Sequence, residues 1–207
     1  MSTDPTSTYP EATGTALAAL ARGEVVVGVE EVCDSCDLLV LAQHATTTNL
    51  ATLIRLGSGF VCVTIDSATA QRLNLPPMTW PESDAAFGGR MAVTVDAIDG
   101  TTTGISAHDR AVTVQALGDR SSRPESFTRP GHVVPVIVDA RHRVGDRASA
   151  IADAARIADG SVVAFSSLVS RRDPCAIASA AEAFDFDLPV LRYADLTGGR
   201  GSRASAA

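Results

Sequence analysis

The amino-acid sequence predicts one layered α/β domain, and three observations carry that prediction. Short apolar runs rich in Val, Ile and Leu alternate with helix-length stretches along most of the chain. The apolar residues are mostly small or β-branched, and aromatics make up only 4% of the 207 residues, which suits closely packed layers. A long loop from Pro76 to Gly89 and a proline inside an apolar run, Pro135, argue against a simple doubly wound parallel sheet.

The elements follow from local signals. Ala16–Arg22 reads as a helix capped by Thr15 and ended by Gly23, and Val25–Val27 as a buried strand. Cys33–Cys36 reads as a polar loop before a second strand, Asp37–Ala42. Thr47–Leu56 reads as a helix capped by Thr or Asn, Phe60–Ile65 as a strand and Ser67–Leu73 as a short helix. Met91–Asp96 alternates as a strand does, and Ala107–Leu117 is helical. Val133–Val138 is a strand whose proline favours a sheet edge. Ala148–Ile157 and Asp173–Phe184 read as helices around a strand at Ser161–Phe165, and Leu188–Arg192 is the last strand. Residues 1–13 and 197–207 read as disordered tails on a single folded domain over residues 14–196.

Composition excludes several function classes. The net charge is -7 and no basic run exists, so nucleic acid is not an expected partner. All 17 Lys-or-Arg positions are Arg, which rules out chemistry through a lysine aldimine. No apolar run approaches the length of a membrane span, roughly 18–20 residues. The first residues carry neither a basic nor an apolar signal-peptide region, so the expectation is a cytoplasmic chain with reduced cysteines.

One stretch carries more information than the rest: Asp96 to Arg110, DAIDGTTTGISAHDR. Together with Leu53–Val63 (LIRLGSGFVCV), Leu73–Met78 (LNLPPM) and Arg129–Pro135 (RPGHVVP), it resembles, in the same order, four segments of the 3,4-dihydroxy-2-butanone 4-phosphate synthase family. That resemblance implies an α+β, three-layer α/β/α fold with a mixed sheet. It also implies a homodimer with active sites at the subunit interface. The family's reaction enolises ribulose 5-phosphate, migrates its carbon skeleton and expels formate, with Mg²⁺ holding the oxygens and carboxylates moving protons.

The segments that serve that chemistry depart from the pattern. The family's acidic loop, DDEDRENEGD, falls on Gly28–Asp37, GVEEVCDSCD, so its metal-binding Glu falls on Cys33 and its last Asp survives as Asp37. Its downstream RxGHTEA falls on Arg143–Ser149, which sets Asp146 at the His and Arg147 at the phosphate-contacting Thr. A later catalytic Glu falls near Phe165 or Ser166. A soft thiol and a guanidinium are poor company for a hard cation.

The expectation is therefore a metal-independent, cofactor-free homologue acting on a small molecule, lyase-, isomerase- or cyclase-like, recruited to bacterial secondary metabolism. Its candidate catalytic residues are Asp37, Cys33 and His132. Thr102, Thr103, Ser106, Arg147 and Cys36 are candidate substrate contacts. Each also has a plainer reading. Cys33 and Cys36 either fill a loop or serve as a thiol pair or soft-metal ligands. The threonines and Ser106 either bind an oxyanion or build a turn. Arg147 either stands in for the metal's charge or forms a salt bridge with Asp37 or Asp34. Trp80 and Phe87, on the long loop, either line or cover the pocket or pack at a dimer interface. Two alternatives stand beside this: a dimeric pseudoenzyme that binds a ligand or partner, and retained Mg²⁺-dependent activity built from Glu30, Glu31 or Asp146.

Overall fold

A computed structural model describes residues 9–78, 89–138 and 146–198. Trp80, Phe87, His142 and the outer parts of both expected tails lie outside the described residues. The strands are β1 (Val26–Glu30), β2 (Ser35–Leu41), β3 (Cys62–Ile65), β4 (Arg90–Met91), β5 (Val95–Ala97), β6 (Phe127–Ile137), β7 (Val163–Ser167) and β8 (Val190–Arg192). The helices are α1 (Glu11–Ala21), α2 (Thr47–Leu56), α3 (Ser67–Arg72), α4 (Ala107–Gly118), α5 (Arg147–Ile157) and α6 (Tyr193–Gly198). One mixed sheet runs in the order β4-β6-β3-β7-β2-β1-β8, with β5 paired to β6 off that path. The β1–β8 and β3–β6 pairs are parallel and the other pairs antiparallel.

Each face of the sheet carries its own apolar core, because alternate strand residues point to opposite sides. Val27, Leu38, Val40 and Val63 face α2 and α4, packing with Leu50, Leu53 and Val114. Val26, Leu39, Leu41, Val136 and Phe165 face α1, α5 and α6, packing with Leu17, Leu20, Ile151 and Leu196. This is the three-layer α+β arrangement that the resemblance implies.

Several elements differ from expectation for identifiable reasons. Helix α1 starts at Glu11, behind an N-cap at Pro10, and Thr15 lies inside it. Cys36 belongs to β2 and not to the preceding loop. The Met91–Asp96 run splits into β4 and β5. Over 173–184 only the end is regular, a 3-10 stretch at Ala180–Asp185. Strand β6 is interior, between β3 and the β4/β5 pair, and not at an edge. Pro135 is tolerated there because Val134 donates towards β3, to the Val61 carbonyl, while Pro135 faces the other way. On that side its carbonyl accepts from Ala92, next to the two-residue β4.

Candidate functional site

Two polar clusters sit at the ends of interior strands. The first surrounds Asp37, which stands opposite Gly28 on β1 and Ser167 on β7. Alternation along β2 sends Cys36 to the α2/α4 layer and Asp37 to the α5/α6 layer. Asp37 is 0% exposed. Its Oδ2 accepts from Arg147 Nε at 2.8 Å and from the Tyr193 hydroxyl at 3.1 Å, and its Oδ1 accepts from Arg147 Nη2. Nη2 also donates to Ser167 Oγ at 2.8 Å. Gly28 makes room for the tyrosine, since a Cβ there would stand 2.3 Å from the Tyr193 hydroxyl oxygen. Burial alone would lower the Arg147 pKa, but the hydrogen bond and charge of Asp37 outweigh it and raise it. Burial, reinforced by Asp37, pushes the Tyr193 hydroxyl well above its usual range. The cluster is a neutral tyrosine beside a bidentate Arg–carboxylate pair.

The second cluster is built on β5, β6 and the start of α4. Asp96 Oδ1 accepts from the His132 backbone N–H and Oδ2 pairs with His132 Nδ1, each at 2.8 Å. A carboxylate acceptor places the imidazole proton on Nδ1 and leaves Nε2 as the second nitrogen, on a side chain 42% exposed. Gly104, at φ +81°, closes over this pair: a Cβ there would lie 2.0 Å from Asp96 Oδ2. Asp109 fixes that glycine by accepting from its N–H at 3.0 Å and from Thr102 Oγ1 at 2.9 Å. Burial tends to raise the Asp109 pKa, yet hydrogen bonding with Thr102, Gly104 and Ser106 overcomes it and holds the carboxyl below its ordinary value. Ser106 caps α4 by accepting from the Asp109 N–H. Buried Arg110 donates from Nη1 to the Gly59 carbonyl at 2.7 Å, which ties this loop to the turn before β3.

The expected trio of Asp37, Cys33 and His132 does not meet within one chain. Strands β3 and β7 lie between β6 and β2, so about 14 Å separates the last two at ordinary strand spacing. Cys33 is exposed on the turn between β1 and β2. Cys36 is buried in the opposite layer, where its Sγ donates to the Ser179 carbonyl at 3.2 Å. Burial, then Asp37, pushes the Cys36 thiol up to about 12, which is the reverse of an activated thiol pair. The Thr102 and Ser106 side chains are engaged within their own loop, and Thr103 is exposed. Of the two readings of Arg147, the structure shows the salt bridge to Asp37. Ser167 and Tyr193 were not anticipated. Ser167 could have been found by continuing strand alternation two residues past Phe165; Ser166 turns to the other layer, towards Ser58. Tyr193 left no local signal.

Mg²⁺ takes about six oxygens in near-octahedral geometry. Both oxygens of Asp37 are taken by a guanidinium and a hydroxyl. Glu30 accepts from the Val32 N–H, Glu31 from Arg192, and Asp34 from the Ala180 N–H. Among the described residues, no group of three or more His, Cys, Asp or Glu could hold a metal ion. The described residues do not fit a magnesium site.

Comparisons with known proteins agree with the geometry of the fold. The profile of the 3,4-dihydroxy-2-butanone 4-phosphate synthase family matches residues 14–197. The riboflavin biosynthesis protein RibBA of Rhodococcus jostii is 40% identical over 193 residues, covering 87% of this chain and 45% of that protein. The 3,4-dihydroxy-2-butanone 4-phosphate synthase of Candida albicans is 42% identical over 123 residues, 58% of this chain and 60% of that one. The chain thus spans about half the length of the curated relatives it matches. A solved structure of 3,4-dihydroxy-2-butanone 4-phosphate synthase in complex with two magnesium ions superposes with a TM-score of 0.79 at 28% identity, covering 93% of this chain and 98% of that one.

Proposed function

We propose, because this chain belongs to the 3,4-dihydroxy-2-butanone 4-phosphate synthase family, that it is a metal-independent acid–base enzyme of that family. It acts on a small carbonyl-bearing molecule less polar than a sugar phosphate, in a lyase- or isomerase-like reaction outside riboflavin formation, such as a step of bacterial secondary metabolism. The observation that carries this reading is the Asp96–His132 pair. Asp96 holds the imidazole by two hydrogen bonds, orients the ring and leaves Nε2 to take a proton from carbon or oxygen. The imidazolium formed is stabilised by the same carboxylate, and the proton can then return to another atom of the substrate. Gly104 and Asp109 keep the pair in place. Asp37 acts from behind as an anchor for Arg147, since a fully buried carboxylate has no face for substrate. The homodimer implied by the resemblance would set the two clusters of neighbouring copies around one substrate.

A second reading, retained Mg²⁺-dependent formation of the family product from ribulose 5-phosphate, is favoured by the relatives' names and by the intact Thr102–Arg110 loop. Formate release from ribulose 5-phosphate, with Mg²⁺ and with EDTA, separates the two. The expected result is no Mg²⁺-dependent formate; metal-dependent formate establishes the second reading and rejects the first. In parallel, deuterium uptake from solvent into a panel of small hydroxyketones reports proton abstraction directly. His132→Gln is expected to slow that exchange by about 10²–10⁴-fold. A panel with no exchange above background would point to the non-catalytic, ligand-binding alternative.

A further inference from the structure

We infer that the Arg147 guanidinium is the resident cation at Asp37 and excludes a divalent metal from that carboxylate. The inference deepens the metal-independent reading above and rests on it. Arg147 is the first residue of α5, where the helix dipole disfavours a positive charge. It is held there by a carboxylate on β2 and a hydroxyl on β7, which fix the plane of the guanidinium from two strands. The planar fork matches both carboxylate oxygens at once, a fit that an ammonium or a hydrated ion does not reproduce. Tyr193 donates to the same carboxylate, and the space it occupies exists only because position 28 is glycine. A divalent ion would have to displace both donors and find further oxygens. The hydroxyls hydrogen-bonded in this cluster are those of Ser167, which accepts from Arg147, and Tyr193, which is already committed to Asp37. Charge balance is therefore internal: one fully buried anion paired with one largely covered cation.

The test uses the full chain and Mn²⁺ as a paramagnetic substitute for Mg²⁺, read by electron paramagnetic resonance, together with thermal melting in Mg²⁺ or EDTA. The unsubstituted protein is expected to leave the free Mn²⁺ signal undiminished into the millimolar range and to melt at the same temperature in Mg²⁺ and EDTA. Arg147→Met strands the Asp37 charge; its melting temperature should fall, and saturating Mg²⁺ should restore about 3 °C or more. The double variant Asp37→Asn with Arg147→Met should ignore the metal. Stoichiometric Mn²⁺ binding by the unsubstituted protein that disappears in Asp37→Asn overturns the inference. So does Arg147→Met stability as indifferent to metal as that of the double variant. If Arg147→Met does not fold, Mn²⁺ binding by the unsubstituted protein and the double variant decides alone. Proton exchange that persists in EDTA keeps the functional reading even if Mn²⁺ binds at Asp37, so the two can fail separately.

Discussion

At the scale of residues, the dominant energetic fact is that Asp37 and Arg147 are buried as a pair. Asp37 is fully covered and the Arg147 side chain is 18% exposed, so neither can recover its hydration if the other is removed. Removing one partner of such a pair costs about 3–5 kcal/mol, whereas replacing both with apolar residues of similar volume is often neutral. Urea unfolding should therefore show Arg147→Met strongly destabilised and Asp37→Leu with Arg147→Met much closer to the parent protein. The cysteines divide in the same way by burial. Cys33 and Cys175 are exposed, while burial, followed by the Asp37 charge, pushes both Cys36 and Cys62 to about 12. A thiol reagent under native conditions should modify two cysteines quickly and the other two only as the protein unfolds. Four fast thiols would contradict the buried placement of Cys36 and Cys62.

At the scale of elements, the beginnings of α2, α3 and α4 were legible because short polar side chains announce them. Thr46, Asp66 and Ser106 each accept from the backbone N–H three residues on, and α2, α3 and α4 begin directly after them. The 173–184 stretch misled because it is rich in alanine and helix-compatible. Its start is instead bent by a side chain that binds the backbone, Asp173 accepting from the Cys175 N–H. The Asp37 cluster was half legible. Asp37 and Arg147 were visible as chemically odd residues at informative places. Ser167 and Tyr193 join them only through the pairing of β2 with β7 and the return of the chain 156 residues later, which no local pattern encodes. The α4 start also carries a pH dependence. Asp109 is held below its ordinary value in the folded chain, so ionised Asp109 adds stability above the unfolded-state pKa of 3.8, and that contribution is lost as pH falls through the lower folded value. Acid unfolding monitored between about pH 5 and 2 should be shallower in Asp109→Asn than in the parent chain. Equal slopes would remove Asp109 from the account.

At the scale of the whole molecule, the described residues include no helix long and apolar enough to cross a membrane. What the surface does show is apolar exposure around the His132 cluster, where Phe60, Ile98 and Ile105 are each about half exposed. Glycine neighbours link two of them to it: Gly59 is bound by Arg110, and Gly104 packs on Asp96. The proposed homodimer would cover this area. Sedimentation equilibrium is expected to give a dimer, and Phe60→Asp with Ile105→Asp a folded monomer; a monomeric parent chain would reject the assembly. The connection between β1 and β2 has a different consequence. Those strands pair in continuous antiparallel register from Val26↔Leu39 to Glu30↔Ser35, leaving only Glu31–Asp34 to turn the chain. Closure entropy grows only with the logarithm of loop length, so lengthening this connection from four to six residues would cost less than about 0.5 kcal/mol. The hairpin is thus an inexpensive graft point. An acidic segment transplanted there, with Arg147 removed, would ask whether exchanging one short loop and one side chain is enough to give this scaffold a metal-binding site.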